Sequence, residues 1–271
     1  MRFEEFLNER KYLLNVSHKT LVYYGCAFRA WEKHYGDGKP ATWIKNMLES
    51  GIKPVSVNTY ICAMNTYWKW EGAGTKLKYI KEEEKILTTL SPQQVHWMIH
   101  GKPIGRNQTR AHLVALTILD CGLRISETLS LRKEDIDLEN LSVHVMGKGG
   151  KHRLVPISQE LRSRLFRYMR ENEMKYLFQT RSSRKVSIRN MERDFKTLFK
   201  RVGIEGVRAS PHTLRHSFAI CYLRNGGDLF TLSRILGHSS ISTTQIYLRS
   251  IGIDQIKESH QRFSPLCQHS R

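Results

Sequence analysis

The sequence predicts a mostly α protein with a small antiparallel β-sheet, built as two domains, and three observations predict it. Apolar residues recur at helical spacing along most of the 271 residues. One pair of strand-like arms, Leu141 to Met146 and Arg153 to Ile157, flanks the tight-turn signal Gly147-Lys148-Gly149-Gly150. Between Glu71 and Leu90 the periodicity weakens across Gly72, Gly74 and the charged run Lys81-Glu82-Glu83-Glu84-Lys85, as in an interdomain connector. These features place a helical domain at 1–84, a linker at 85–90 and a second domain at 91–271.

In the first domain Ser17 can cap a helix carrying Leu21, Tyr24, Phe28 and Trp31, and helices over Ala41 to Leu48 and Val55 to Trp70 follow. Gly36, Gly38 and Gly51 separate them, so a compact bundle results. Ser91-Pro92 reads as cap and first helical position and opens the second domain. Leu113 to Leu119 is an apolar helix running into Gly122. Pro156 cannot donate to a ladder, which puts its strand at a sheet edge. The remainder of the domain reads as helix.

The formal charge is +19 and the sequence pI about 9.9. Residues 1–90 hold 14 Lys and Arg against 10 Asp and Glu, whereas residues 91–271 hold 30 against 15. A polyanion is the partner such a balance selects, and the second domain carries most of the footprint. The sequence offers neither a bilayer-spanning apolar run nor a secretory signal or basic amphipathic anchor, which excludes a membrane role. Five cysteines without a C-x-x-C pair point to reduced thiols and a cytoplasmic setting rather than a disulfide frame.

From Ser187 to Val202, Met191, Phe195, Leu198 and Val202 share one helical stripe, while Arg189, Arg193, Lys196 and Lys200 share the opposite one. A solvated face is the plain reading of such a stripe. In a chain this basic, the stripe is expected to contact nucleic-acid phosphates or a groove.

The chemistry concentrates in four motifs: Cys121-Gly122-Leu123-Arg124-Ile125-Ser126-Glu127, Gly147-Lys148-Gly149, Pro211-His212-Thr213-Leu214-Arg215-His216, and Leu236-Gly237-His238 with Tyr247 nine residues on. Arginines that hold a phosphate's charge, a lysine and histidines that move protons, and a tyrosine that attacks are together suited to a phosphodiester. The motifs, in this order and over about two thirds of the chain, resemble the catalytic domain of the tyrosine recombinases, the phage-integrase family. The helical first domain is similar in size and position to that family's SAM-like core-binding domain.

The resemblance implies roles. Arg124 and Arg215 would hold the scissile phosphate, where a planar guanidinium suits two oxygens at once. Arg124 could instead be a helix-start arginine paired with Glu127, which on the family reading orients it. Lys148 would protonate the leaving 5′ oxygen, with Lys151 as the competing candidate. His212 would transfer protons beside the tyrosine, and His238 would hydrogen-bond a non-bridging oxygen. His212, His216 and His238 could alternatively ligate zinc, though the Glu of a His-Glu-x-x-His site is missing, or serve as core histidines; His216 alone suits a structural role. Tyr247, otherwise a buried aromatic, would be the nucleophile of a 3′-phosphotyrosyl link, with no metal and no cofactor.

Taken together, the resemblance implies a site-specific recombinase acting on double-stranded DNA at specific sites through a Holliday junction, as a homotetramer or with a paralogue, and Xer-like in its short layout. A type IB topoisomerase and a non-catalytic DNA-binding regulator are the alternatives. Ile251, Ile253, Ile256, Phe263 and Leu266 make the C-terminal stretch too apolar for a free tail, so it is expected to dock on its own domain or on a neighbour, and the resemblance implies a neighbouring protomer.

Overall fold

The computed structural model describes residues 2–36, 39–81, 87–147, 150, 152–170, 175–248, 252, 257, 260 and 261. The chain divides into two units, Met1–Lys85 and Ile86–Arg271.

The first unit is a helical bundle of α1 (Phe3–Tyr12), α2 (His18–His34), α3 (Pro40–Glu49) and α4 (Pro54–Glu71). Ser17 caps α2 by accepting from the Thr20 amide, and Pro40 and Pro54 open α3 and α4, where a missing N–H costs nothing. Phe6, Phe28, Trp31, Trp43, Met47, Ile61, Tyr67 and Trp68 form the core. Helix α1 was not foreseen, since it lacks a side-chain cap. It is held instead by rings: Phe3 stacks on Phe28 at 3.9 Å, and Phe6 meets Tyr24, Tyr67 and Trp70 edge-on.

The weakly patterned stretch after α4 is less free than its composition suggests. Asn65 donates to the Leu77 carbonyl and accepts from its amide, and Asn58 does the same for Ile80, so two side chains act as strand partners for residues 77–80. Such local pairing satisfies the backbone without regular structure, which no periodicity reveals.

The second unit contains α5 (Pro92–His100), α6 (Arg106–Cys121), α7 (Ile125–Thr128), strands β1 (Ile136–Asp137), β2 (Ser142–Met146) and β3 (His152–Pro156), then α8 (Gln159–Arg170), α9 (Ile188–Arg201), α10 (Pro211–Arg224), α11 (Leu229–Leu236) and α12 (Ser242–Gln245). Ser91 and Gln94 form a reciprocal capping box at the start of α5. The sheet is antiparallel in the order β1-β2-β3, with Met146 opposite His152 and Ser142 opposite Pro156, so Pro156 does lie on an edge strand. Strand β1, only two residues long, was not anticipated. Val143, Val145 and Val155 point into a core shared with α6, α8 and α9, while His144, Met146 and Leu154 face outward. Lys148 and Lys151, on the connection between β2 and β3, lie outside the described residues.

Helix α6 is buried along most of its length and ends at Gly122, whose φ of +61° only glycine adopts without strain. A Cβ there would stand 2.4 Å from the Phe218 ring and 2.8 Å from Leu236. Gly122→Ala is therefore expected to lower unfolding stability by about 3 kcal/mol, combining left-handed strain with overpacking. Urea denaturation checks this, and a loss below about 1 kcal/mol would mean the turn relaxes freely. Among the described residues no helix is long and apolar enough to cross a membrane, and Cys26, Cys62, Cys121 and Cys221 are free thiols.

Candidate active site

The turn that Gly122 makes sets up the site. It reverses the chain after α6 so that Leu123 drops into the core and Arg124 becomes the residue preceding α7. Glu127, one turn later, accepts from the Arg124 amide at 2.8 Å and from its Nη1 at 3.0 Å. The Gly122-Leu123-Arg124-Ile125-Ser126-Glu127 motif is thus one local structure: a helix end, an anchor and a helix start that aims an arginine.

Glu127 binds a second arginine that sequence reasoning missed. Arg153 of β3 donates to both of its carboxylate oxygens, at 3.1 and 2.9 Å. Burial acts to raise the Glu127 carboxyl, yet the hydrogen bonds from Arg153 and the Arg124 amide, with both guanidinium charges, hold it below its ordinary range. Strand alternation offered the only signal, since Arg153 shares the inward side of β3 with Val155.

The last turn of α11 gathers the cations. Arg153 Nε donates to the Ile235 carbonyl at 3.0 Å, Arg215 Nη2 to the Leu236 carbonyl at 2.9 Å, and Arg124 approaches the Leu236 and Gly237 carbonyls at 3.4 Å. These carbonyls are unpaired at a helix C-terminus, and the helix dipole makes that end negative. Gly237, with φ of +65°, is required there, because a Cβ would meet the Arg153 guanidinium at 2.8 Å. The Leu236-Gly237 step is therefore a dock for arginines. Three guanidinium groups against one carboxylate leave an excess of positive charge, which suits a phosphodiester.

Arg215 is buried in the second turn of α10 and also donates to the Gly122 carbonyl. Burial, and then the charge of Arg124, push its pKa down to about 10, which leaves it charged at neutral pH. Its Nη2 lies 3.0 Å from His238 Nε2. A guanidinium only donates, so Nε2 accepts and the His238 proton sits on Nδ1, which donates to Thr244 Oγ1 at 2.8 Å. Burial and the charges of Arg215, Arg124 and Arg153 push His238 down to about 4. Thr244, fully buried in α12, was not foreseen as the residue that orients His238.

Tyr247 is a buried aromatic whose hydroxyl turns toward α10. Its ring packs with Ala219, Ile220, Leu223, Leu232 and Leu236, only 2% exposed, while its hydroxyl stands 3.0 Å from His216 Nδ1. Burial raises the phenol above its ordinary value and the charge of Arg215 pulls it back. Here the sequence expectation needs correcting, because it set His212 beside the tyrosine and gave His216 a structural role. The ring packs on the middle of α10, so its hydroxyl reaches the level of 216. His212 is exposed on the first turn, its ring 6.2 Å from that of His216. Among the described residues no three His, Cys, Asp or Glu side chains form a metal-ligand cluster.

The basic stripe of α9 is exposed at Arg189, Arg193, Lys196 and Lys200, opposite buried Met191, Phe195 and Leu198. Val202 follows α9 and is half-buried. Arg193 also lies 3.5 Å from Asp194, a buried carboxylate paired with Arg110.

Residues 88–251, more than half of the chain, match the model of the phage integrase family. The chain is 31% identical to the tyrosine recombinase XerA of Thermococcus kodakarensis over 254 residues, covering 90% of this chain and 88% of that protein. It is 27% identical to the tyrosine recombinase XerD of Yersinia pestis, covering 97% and 96%. The fold is similar to that of the Tn1549 transposon integrase, solved in complex with circular intermediate DNA, with a TM-score of 0.78 at 18% identity and coverage of 97% and 99%.

Proposed function

The chain belongs to the phage integrase family and is a site-specific tyrosine recombinase that cleaves and rejoins DNA; on that premise we propose that Tyr247 is its nucleophile. The observation that carries this is the convergence of Arg124, Arg215 and His238 on the end of α11, with the Tyr247 hydroxyl held one residue along α10 from Arg215. Arg124 and Arg215 bind the scissile phosphate, and Glu127 orients Arg124. The phosphate's charge opposes that of the arginines, so a bound phosphate raises His238 toward a form whose Nε2 donates to a non-bridging oxygen. His212 acts in the same site from the exposed first turn of α10, three residues from Arg215. Lys148 protonates the departing 5′ oxygen.

The 3′-phosphotyrosyl link conserves the energy of the broken bond, so a 5′ hydroxyl from the partner strand displaces the tyrosine and no cofactor is needed. Two such exchanges pass through a Holliday junction. Four protomers on two sites, in the cytoplasm, complete the reading, with the C-terminal stretch, whose apolar residues Ile251, Ile253, Ile256, Phe263 and Leu266 lie outside the described ones, docking between protomers. The relatives described above are recombinases and integrases, and nothing among them favours DNA relaxation or a purely regulatory role. A nicked substrate carrying the target site tests the proposal: a covalent protein–DNA adduct should accumulate when the short 5′ strand diffuses away.

The α9 stripe adds backbone contacts to the same duplex. Arg193→Ala is expected to weaken binding and to lower the slope of log K against log salt by about one unit, the signature of one lost phosphate contact. The loose Arg193–Asp194 pair competes little, since the Arg193 side chain is 71% exposed. Unchanged affinity and slope in a salt titration would return the stripe to an ordinary solvated face.

A further inference from the structure

We propose that His216 is the base that takes the Tyr247 proton during cleavage, an inference that rests on Tyr247 being the nucleophile. Its Nδ1 is 3.0 Å from the tyrosine hydroxyl, the separation at which a proton passes along a hydrogen bond. With the imidazole proton on Nε2, Nδ1 has a free lone pair for the phenol proton.

The surroundings suit this assignment. The titratable or charged groups facing His216 are His212 and Arg215 on its own helix and Tyr247 from the segment after α12. Burial, then His212 and Arg215, hold His216 below its ordinary range, so it rests neutral and ready to accept. A phosphodiester bound against Arg215 offsets part of that cationic influence and strengthens the base when substrate arrives. The other candidates lack the geometry. His238 uses Nδ1 on Thr244 and Nε2 on Arg215, and His212 is exposed on the preceding turn.

In the cleavage step the Tyr247 proton passes to His216 Nδ1 as the Oη–P bond forms. The P–O5′ bond breaks, and the 5′ oxygen takes a proton from Lys148. In rejoining, the incoming 5′ hydroxyl returns a proton to Lys148 and Oη recovers its own from His216. The cycle closes with no other reactant.

The test measures single-turnover adduct formation on a nicked substrate with either oxygen or sulfur at the bridging 5′ position, in the full chain. Sulfur leaves without being protonated, so it restores a variant lacking the leaving-group acid and does nothing for one lacking the base. His216→Gln keeps a polar side chain of similar length but cannot take the proton. Its rate is expected to fall about 100-fold with both substrates while DNA affinity is unchanged, whereas Lys148→Ala is restored by sulfur. Added imidazole is expected to rescue His216→Ala, a second variant that serves if the first does not fold. A rate within about threefold of wild type, restoration of His216→Gln by sulfur, or failure of imidazole rescue would each overturn the proposal. If wild-type protein forms no adduct at all, the nucleophile assignment itself falls.

Discussion

Tyr247→Phe is expected to abolish covalent capture of a nicked substrate while leaving DNA affinity nearly unchanged. The variant loses one hydroxyl and none of the positive charge that neutralises phosphates, so the chemical step and the binding step separate cleanly. The ring stays among Ala219, Ile220, Leu223, Leu232 and Leu236, where phenylalanine fits the same space. The structural cost falls on His216 Nδ1, which loses a partner worth about 1 kcal/mol, and on Arg215, whose side chain also hydrogen-bonds the hydroxyl. Denaturing gels report the adduct and equilibrium titration reports affinity. Adduct persisting in the Phe variant would remove Tyr247 from the reaction, and a large loss of affinity would show the hydroxyl serving DNA binding instead.

What the sequence could and could not reveal divides by contact range. Gly122, Arg124 and Glu127 were legible because a helix end, a helix start and the carboxylate that aims Arg124 lie within six residues. The two faces of α9 were legible for the same reason, since helical geometry is local. Arg153 was not, because its partner Glu127 lies 26 residues away and reaches it only across the fold. Which histidine meets Tyr247 was equally hidden. His212 and His216 lie one turn apart on the same face of α10, and the packing of the Tyr247 ring on Ile220 and Leu223 decides between them. Family motif order pointed to His212, and tertiary packing selected His216 for the hydroxyl.

Glu127→Gln is expected to lower unfolding stability by about 3 kcal/mol at pH 7, the cost of leaving a buried guanidinium without its counter-charge. Glu127 and Arg153 side chains are 7% and 14% exposed, so solvent screens their pair little. Arg124, at 39%, loses less stability but more alignment, so cleavage should fall with it. Two controls separate pair loss from a general defect. Arg153→Met with Glu127→Gln removes both buried charges, so the double variant should be more stable than the sum of the single losses predicts. The pH profile supplies the other control. The folded carboxyl is held below its ordinary value of 4.5, so its contribution is fully present above that value and is lost as pH falls through the lower folded one. His216, also depressed, erodes stability from higher pH in wild type and variant alike, and His238, which the Glu127 charge acts to raise, differs between them only near and below its folded value of about 4. The difference between the two curves therefore isolates Glu127: wide and flat at neutral pH, closing only below about 4.5. A gap under about 1 kcal/mol at pH 7, or one that does not narrow in acid, would show that the carboxylate is not what holds these arginines on the end of α11.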